Sequence, residues 1–152
     1  MCKELLGEVD FKEFAWYTDN TFMKKNPVVH FEMPAKDKKR VKKFYESAFG
    51  WEMNLLGKDM SEYLLATTTE TDKKTTRPTT PGAINGGFFD YGPSGKVPHL
   101  VIAVDDIEEH IKIVKKAGGK VMGEVMDIPG IGKFAMFTDT EGNKVGMLQP
   151  TP

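Results

Sequence analysis

The sequence predicts an α+β fold built from two tandem βαβββ modules. Shifting the chain by 69 residues superposes seven identical residues within 26 positions and without a gap, including Val28 on Val97 and His30 on His99. In each copy, an alternating apolar strand precedes an amphipathic helical stripe, a glycine and three further strand patterns. One copy alone would leave an apolar sheet face exposed to water, so we expect the two copies to pair.

Composition and charge are those of one ordinary globular domain. The 152 residues carry a net charge of −1 and are 39% hydrophobic, which gives no electrostatic footprint for nucleic acid. The single cysteine, Cys2, excludes a disulfide framework within the chain and favours a reducing compartment. No apolar run approaches the roughly 20 residues that span a bilayer, and acidic side chains interrupt the N-terminal segment where a secretory signal would be apolar. These observations predict a cytoplasmic protein with neither nucleic acid nor a membrane as its partner.

The first module is predicted to cover residues 27–91. Alternation in Val28–Met33 places His30 and Glu32 on one face of the opening strand, and Pro34 is expected to end that strand. The rest of this module is expected to contain a helix capped by Asp37 and closed by Gly50, followed by strands at Trp51–Leu56, Glu62–Thr67 and Ala83–Asp90.

Two connections are visible in the composition. Thr67–Pro81 holds eight threonines together with charges and two prolines, so we expect a solvated, mobile connection that is either loose or a lid. Gly92–Gly95 is the expected linker between the two copies.

The second module, residues 97–150, repeats the order of the first. Its opening strand is expected at His99–Val104, with His99 on the face opposite the apolar residues of that strand. Asp106 with Glu109 forms a capping box at the start of the second helix. The remaining strands are expected at Lys120–Val125, Lys133–Thr138 and Lys144–Gln149.

Residues 1–26 belong to neither copy. They contain too many apolar side chains for a free tail, so we expect an N-terminal arm that packs on the body of the protein or on a second subunit. The arm precedes one domain at residues 27–150.

Short motifs in both copies carry a family resemblance. In the first copy they are His30, Phe44-Tyr45, Phe49-Gly50-Trp51 and Ala83-Ile84-Asn85-Gly86-Gly87. In the second copy they are His99, Val104-Asp105-Asp106-Ile107, Ala117-Gly118-Gly119-Lys120-Val121, Ile128-Pro129-Gly130 and Asp139-Thr140-Glu141-Gly142-Asn143. In their order and spacing, over residues 27 to 149, the chain resembles the vicinal oxygen chelate superfamily of glyoxalases, bleomycin resistance proteins and extradiol dioxygenases.

The resemblance implies one curved, eight-stranded mixed sheet whose concave face forms a ligand cup. In metal-dependent members, the cup holds a divalent ion and a substrate that chelates this ion through two neighbouring oxygens. The resemblance also implies that the chain forms a homodimer and binds a small organic molecule.

The residues at the implied metal-ligand positions argue against the usual metal. His30 and His99 match the family's histidine ligands, and two imidazoles in a cup suit Zn²⁺, Ni²⁺, Fe²⁺ or Mn²⁺. In metal-dependent relatives the last strand of each module adds a carboxylate or a similar oxygen donor. Here the second copy has Gly146 at that position, and the first copy offers at best the neutral amide of Asn85. Since a catalytic ion normally needs three or more protein ligands, we expect no metal cofactor, with a divalent transition metal on His30 and His99 as the alternative.

Glu32 is the candidate catalytic residue. It lies two residues after His30, so strand parity places it on the same cup-facing side, where it could serve as a general base or a substitute ligand. A solvated or lysine-paired carboxylate near the sheet edge is the alternative. Aromatic residues flank the expected cup and predict an apolar part of its lining. The expected ligand-binding residues are His30, Glu32, Asn85, Phe88, His99 and Phe134.

Three functions are compatible with these residues. We favour a glyoxalase/bleomycin-resistance-like protein that binds a small organic molecule without the usual catalytic metal. The second is a divergent, divalent-metal-dependent lyase or isomerase of the glyoxalase type that uses His30 and His99. The third is an interaction subunit that docks through residues 1–26 and has a vestigial cup. A fold alone does not choose among these functions.

Overall fold

The strands and helices follow the order of two βαβββ modules. The structure is a computed structural model, and it describes residues 24–93 and 95–152. In the first module the elements are β1 (Val28–Ala35), α1 (Lys38–Phe49), β2 (Glu52–Leu55), a short 3₁₀ helix (Lys58–Met60), β3 (Leu64–Thr67) and β4 (Asn85–Asp90). In the second module they are β5 (His99–Ala103), α2 (Ile107–Lys116), β6 (Lys120–Ile128), β7 (Gly132–Thr138) and β8 (Lys144–Pro150). The predicted α+β fold is confirmed, whereas residues 1–23 of the predicted arm lie outside the described residues.

All eight strands belong to one open, mixed sheet in the order β2-β3-β4-β1-β5-β8-β7-β6. The opening strands of the two modules, β1 and β5, pair antiparallel at its centre. Each opening strand pairs in parallel with the last strand of its own module, β1 with β4 and β5 with β8. The two modules therefore meet through their opening strands, and each closes its half of the sheet in the same way.

Helix α1 covers one face of the first half of the sheet. The Asp37 carboxylate accepts the Arg40 backbone N–H at 3.0 Å and caps the helix, and Gly50 ends it in the left-handed region at φ 67°. Val41 and Tyr45 pack against a core made of Ala35, Met53, Leu64, Ala66 and Phe88. Burial of these apolar side chains, rather than the polar outer surface of α1, holds the helix on the sheet.

Helix α2 covers the same face of the second half. The Asp106 carboxylate accepts the Glu109 backbone N–H at 2.9 Å, as the capping box predicts. Its apolar side chains pack on a second core made of Val104, Ile107, Ala135 and Met147. Because both helices use one face of the sheet, the opposite face is left to form the cup. Among the described helices, none combines the length and apolar character needed to cross a membrane.

The expected end of the first strand is wrong. Strand β1 continues through Pro34 to Ala35, where Pro34 pairs with Phe89 of β4. On its other side, β1 pairs with β5 only up to Glu32, so Pro34 lies beyond that ladder and its missing N–H costs no bond there.

The threonine-rich connection forms a loop with its own hydrogen bonds. Thr71 and Pro78 form an isolated antiparallel bridge, and the Asp72 carboxylate accepts the backbone N–H groups of Lys74 and Thr75. At the base of the loop, Asn85 of β4 binds its backbone and side chains. The segment expected to be a mobile connection is therefore folded back on itself and tied to the sheet.

Candidate functional site

Three predicted site residues lie together on the cup face of the central strands. Glu32 of β1 is directly opposite His99 of β5, and His30 is opposite Val101. Directly opposed residues of an antiparallel pair share a face of the sheet. That face is turned away from the helices, because the alternate residues of β1, Phe31 and Met33, pack towards the core under α1. Sequence parity placed these three residues correctly.

Glu32 and His99 form the closest polar contact of the cup. Glu32 Oε2 lies 2.6 Å from His99 Nε2, and the two side chains are 19% and 9% exposed. Within the part of the chain that the structure describes, His99 Nε2 has this contact but no hydrogen bond of good geometry. The Glu32 carboxylate is therefore the polar group that faces His99 in the cup.

Tyr63, which sequence reasoning missed, joins the other two groups. Its hydroxyl lies 2.9 Å from His30 Nε2 and donates to Glu32 Oε1 at 3.4 Å. Tyr63 directly precedes β3 and lies two residues before Leu65, which pairs with Gly87. Strand parity within the predicted Glu62–Thr67 strand could have placed Tyr63 on the same face as Leu65, but nothing in the sequence marks its hydroxyl as a partner of Glu32.

Burial keeps His30 and Tyr63 uncharged. Burial lowers the pKa of His30, an effect that the Glu32 carboxylate opposes and His99 adds to. Burial also raises the pKa of the Tyr63 hydroxyl, and the charge and hydrogen bond of Glu32 raise it further. At neutral pH, Tyr63 is therefore a proton donor to Glu32, and the Nε2–H tautomer of neutral His30 can donate to the Tyr63 oxygen.

An aromatic ring lies over a glycine in the last strand of each module, and in the second module this glycine is Gly146, the implied carboxylate position. Gly146 pairs with Val101, and a Cβ atom at this glycine would lie 2.7 Å from the Phe134 ring. Gly87 pairs with Glu32, and a Cβ atom there would overlap the Tyr63 ring. Both glycines permit the close approach of a ring to the backbone, which no larger residue would allow at these positions.

The side chain of Asn85 is engaged elsewhere. Its Oδ1 accepts the Thr68 backbone N–H at 2.9 Å, and its Nδ2 donates to Thr71 Oγ1 at 3.1 Å. The amide therefore holds the base of the threonine-rich loop, although the backbone of Asn85 lies beside His30 in the register. This arrangement leaves the amide oxygen poorly placed to serve as the oxygen donor considered for the cup.

The donor set does not fit the metal centre that the resemblance implies. Within the described ranges, no three His, Cys, Asp or Glu side chains are arranged to hold a metal ion. His30 and His99 are present, but the ring of Phe134 fills the place of the carboxylate in the second module. A catalytic ion normally requires at least one further protein ligand beyond two histidines.

Phe88 does not lie in the cup, so its prediction as a ligand-binding residue is wrong, whereas Phe134 does lie on the cup face. Because Gly87 pairs with Glu32, the neighbouring Phe88 points to the other face, where it is 3% exposed in the core under α1. Phe89 is the residue of β4 on the cup side, and its ring centroid lies 5.4 Å from that of His99. Phe134 packs over Gly146, as described above.

A cavity of about 320 Å³ includes Glu32 and His99 in its lining. Most of its lining belongs to the helix side of the sheet and is apolar, since Phe31, Met33 and Trp51 border the core under α1. The cavity therefore joins the Glu32–His99 pair of the cup to apolar residues on the helix side of the sheet.

Comparisons with known proteins agree with this architecture. The model of the Glyoxalase/Bleomycin resistance protein/Dioxygenase superfamily matches residues 28–147. A glyoxylase-like domain-containing protein of Didymella fabae is 35% identical over 120 residues, which cover 74% of this chain and 84% of the relative. CFP32, a candidate glyoxylase of Mycobacterium tuberculosis strain CDC 1551 / Oshkosh, is 32% identical over 122 residues, which cover 78% of this chain and 43% of the relative. The chain thus spans less than half the length of that second relative.

Solved structures share the fold at low sequence identity. A hypothetical protein of Bacillus halodurans C-125 has a TM-score of 0.60 at 16% identity, covering 85% of this chain and 97% of that one. The methylmalonyl-CoA epimerase of Mycobacterium tuberculosis has a TM-score of 0.58 at 14% identity, covering 87% of this chain and 95% of that one. At these identities the likeness concerns the fold alone.

Proposed function

Because the chain belongs to the Glyoxalase/Bleomycin resistance protein/Dioxygenase superfamily, we propose that it binds a small organic molecule in the cup of its sheet without the usual catalytic metal. The observation that carries this proposal is the Phe134 ring packed over Gly146, in the space of the implied carboxylate ligand. A carboxylate cannot be regained there by a small rearrangement, because the ring is itself buried.

The polar groups that remain in the cup support recognition of a ligand. Glu32, Tyr63 and His30 form a continuous set of contacts, and His99 Nε2 lies 2.6 Å from the same carboxylate. A few convergent polar groups in an otherwise apolar concave face are typical of small-molecule sites, where they fix the orientation of the ligand.

A metal-dependent lyase or isomerase is the second candidate. His30 and His99 share the cup face, and Glu32 lies between them, which is the observation that favours it. In that case the ion would polarise a substrate carbonyl, and Glu32 would move a proton. Among the described residues no group of three metal-binding side chains is found, which makes this function less well supported than metal-independent binding.

Elemental analysis of untagged, freshly purified protein separates the two candidates. Metal-independent binding predicts less than about 0.1 equivalent of Zn, Ni, Fe or Mn per chain, because two histidines alone hold such ions weakly. The His30→Ala and His99→Ala variants should then have the same metal content as the unchanged protein. A stoichiometric metal that either variant loses would overturn the proposal in favour of the second candidate.

Homodimerisation is part of the same proposal. Exposed apolar side chains on the described surface support it, among them Leu100 at 48% and Val97 at 51% exposure. Sedimentation velocity of the full chain should give a single species of twice the 17.0 kDa chain mass. A monomer at micromolar concentration would contradict this part of the proposal and leave ligand binding unaffected.

A further inference from the structure

The two halves of the cup have equivalent strand geometry, but the first half is polar and the second is mainly apolar. From this we infer that the ligand is amphipathic, with a hydroxyl or ammonium head that donates to Glu32 and an apolar body that lies against the second module. The inference rests on the proposed function and names the chemical class of its ligand.

The equivalence of the two halves follows from the strand register. Glu32 of β1 pairs with Gly87, and Val101 of β5 pairs with Gly146, so Val101 is the counterpart of Glu32. The internal repeat gives the same correspondence, since a shift of 69 residues places Glu32 on Val101. The first half of the cup therefore presents a carboxylate where the second half presents an isopropyl group.

The aromatic residues repeat the contrast. Leu65 pairs with Gly87 and Met136 pairs with Gly146, and Tyr63 and Phe134 each lie two residues before these partners. The two rings cover equivalent glycines, but only Tyr63 carries a hydroxyl, and that hydroxyl faces Glu32. Polar groups are thus concentrated in the first half.

The polar half is incomplete in a way that a donor would satisfy. An ionised carboxylate only accepts hydrogen bonds and has about four lone-pair sites, of which the Tyr63 hydroxyl and His99 Nε2 each face one. The Glu32 side chain is 19% exposed, so it can be reached from the cup. His99 Nε2 lies beside it, buried and without a hydrogen bond of good geometry to any described residue. A hydroxyl or ammonium placed here would donate to a lone pair of Glu32 that no described residue uses.

The apolar half offers a methionine-lined surface. Met126 pairs with Phe134, and Met122 pairs with Met136, so all four side chains share the cup face. Met122 and Met126 are 36% and 53% exposed. Flexible thioether side chains adapt to apolar bodies of different shapes, and an exposed apolar patch next to a polar cluster is suited to an amphipathic molecule.

An anionic head is disfavoured at the polar half, because it would face the Glu32 carboxylate at short range. Lys120 and Lys144 both pair with Thr138 at one end of the second half. These two lysines would attract an anionic head instead, and an anion bound there would place the head of the ligand in the second half of the cup, opposite to the proposed orientation.

Three naphthalene probes that share one body test the inference. They are 2-(aminomethyl)naphthalene, 2-naphthalenemethanol and 2-naphthoate, titrated by calorimetry into the full-length, metal-free protein at pH 7.5. We expect the amine and the alcohol to bind at least about tenfold more tightly than the carboxylate, the size of effect typical of a charge-assisted hydrogen bond against a repulsion. Glu32→Gln should remove most of this preference.

A pair of variants locates the apolar body. Met126→Ser should weaken the binding of all three probes, whereas Leu55→Ser, at a similarly exposed apolar residue on the helix side of the sheet, should leave their affinities unchanged. Circular dichroism confirms that each variant is folded, and Tyr63→Phe provides a second, milder change to the head site if Glu32→Gln fails to fold.

The outcomes separate this inference from the proposed function. If 2-naphthoate binds most tightly of the three probes and Met126→Ser still weakens its binding, the inference is overturned, but binding in the cup is supported. Binding that Leu55→Ser weakens and Met126→Ser leaves unchanged would overturn the proposed function as well, whereas no binding of any probe at millimolar concentration would overturn the inference alone.

Discussion

Tyr63 and Phe134 occupy equivalent positions in the two modules, and the ring of each lies over a glycine of the neighbouring strand. Tyr63 covers Gly87, and Phe134 covers Gly146. The two residues differ by one hydroxyl, which in Tyr63 contacts both His30 and Glu32. In this relationship a ring fills the implied carboxylate position at Gly146, and the one hydroxyl lies in the first half of the cup, which makes that half the more polar one.

A methyl group at Gly146 should destabilise the protein. Gly146→Ala would place its Cβ 2.7 Å from the Phe134 ring and 3.1 Å from Val101. Overpacking of this kind costs about 1–3 kcal/mol of the free energy of unfolding, measurable by urea denaturation. Gly92→Ala is the matched control, because nothing lies within 4 Å of its Cβ position. Equal effects of the two substitutions would show that the ring does not fill this space.

Removal of the Tyr63 hydroxyl should also reduce stability. Tyr63→Phe leaves His30 Nε2 without its hydroxyl partner and removes one hydrogen bond to Glu32, so we expect a loss of about 1–2 kcal/mol in urea denaturation. Tyr91→Phe serves as the control, because Tyr91 is 41% exposed and its ring lies under Lys36 on the surface. If the two phenylalanine variants are equally stable, the polar contacts of Tyr63 contribute nothing to the fold.

Stability should fall as the pH is lowered through the range in which free histidine titrates. The folded state holds the pKa of His30 below its ordinary value of 6.5, so at pH values just below 6.5 the unfolded chain binds more protons than the folded one. The contribution of His30 is therefore fully present above pH 6.5 and is lost as the pH falls towards its lowered pKa.

Two measurements check this pH dependence. Urea denaturation at pH 7.5 and pH 5.5 should show a smaller difference for His30→Gln than for the unchanged protein. The imidazole NMR signals of His30 should titrate below pH 6.5 in the folded state. A His30 titration at or above that value would contradict the prediction.

Asn85 should act on the threonine-rich loop rather than on ligand binding. Asn85→Ala removes the bonds to Thr68 and Thr71, so hydrogen exchange in residues 68–80 should become faster. Asn54→Ala, on the exposed edge strand β2, is the matched control and should leave the exchange of the loop unchanged. If Asn85→Ala weakens binding of the cup ligand and leaves hydrogen exchange in the loop unaltered, Asn85 belongs to the binding site instead.

Much of the site could be read from strand parity. The alternation of Val28–Met33 and the repeat placed His30, Glu32 and His99 on one face, and the register confirms it. Phe88 was misplaced because a run of five small or apolar residues, 84–88, has no alternation that marks its faces. Only the pairing of Gly87 with Glu32 decides that Phe88 points to the helices.

The sequence by itself determined the two modules and their helix caps, because these depend on residue types and on spacing along the chain, and the family resemblance implied that Gly146 stands where relatives have a carboxylate. Tertiary structure decided what replaces that carboxylate and how the polar groups connect. Phe134 over Gly146 and Tyr63 over Gly87 are diagonal contacts between neighbouring strands, set by register and ring direction. Such contacts leave no periodic trace in the sequence, since they join residues that are 12 and 24 positions apart.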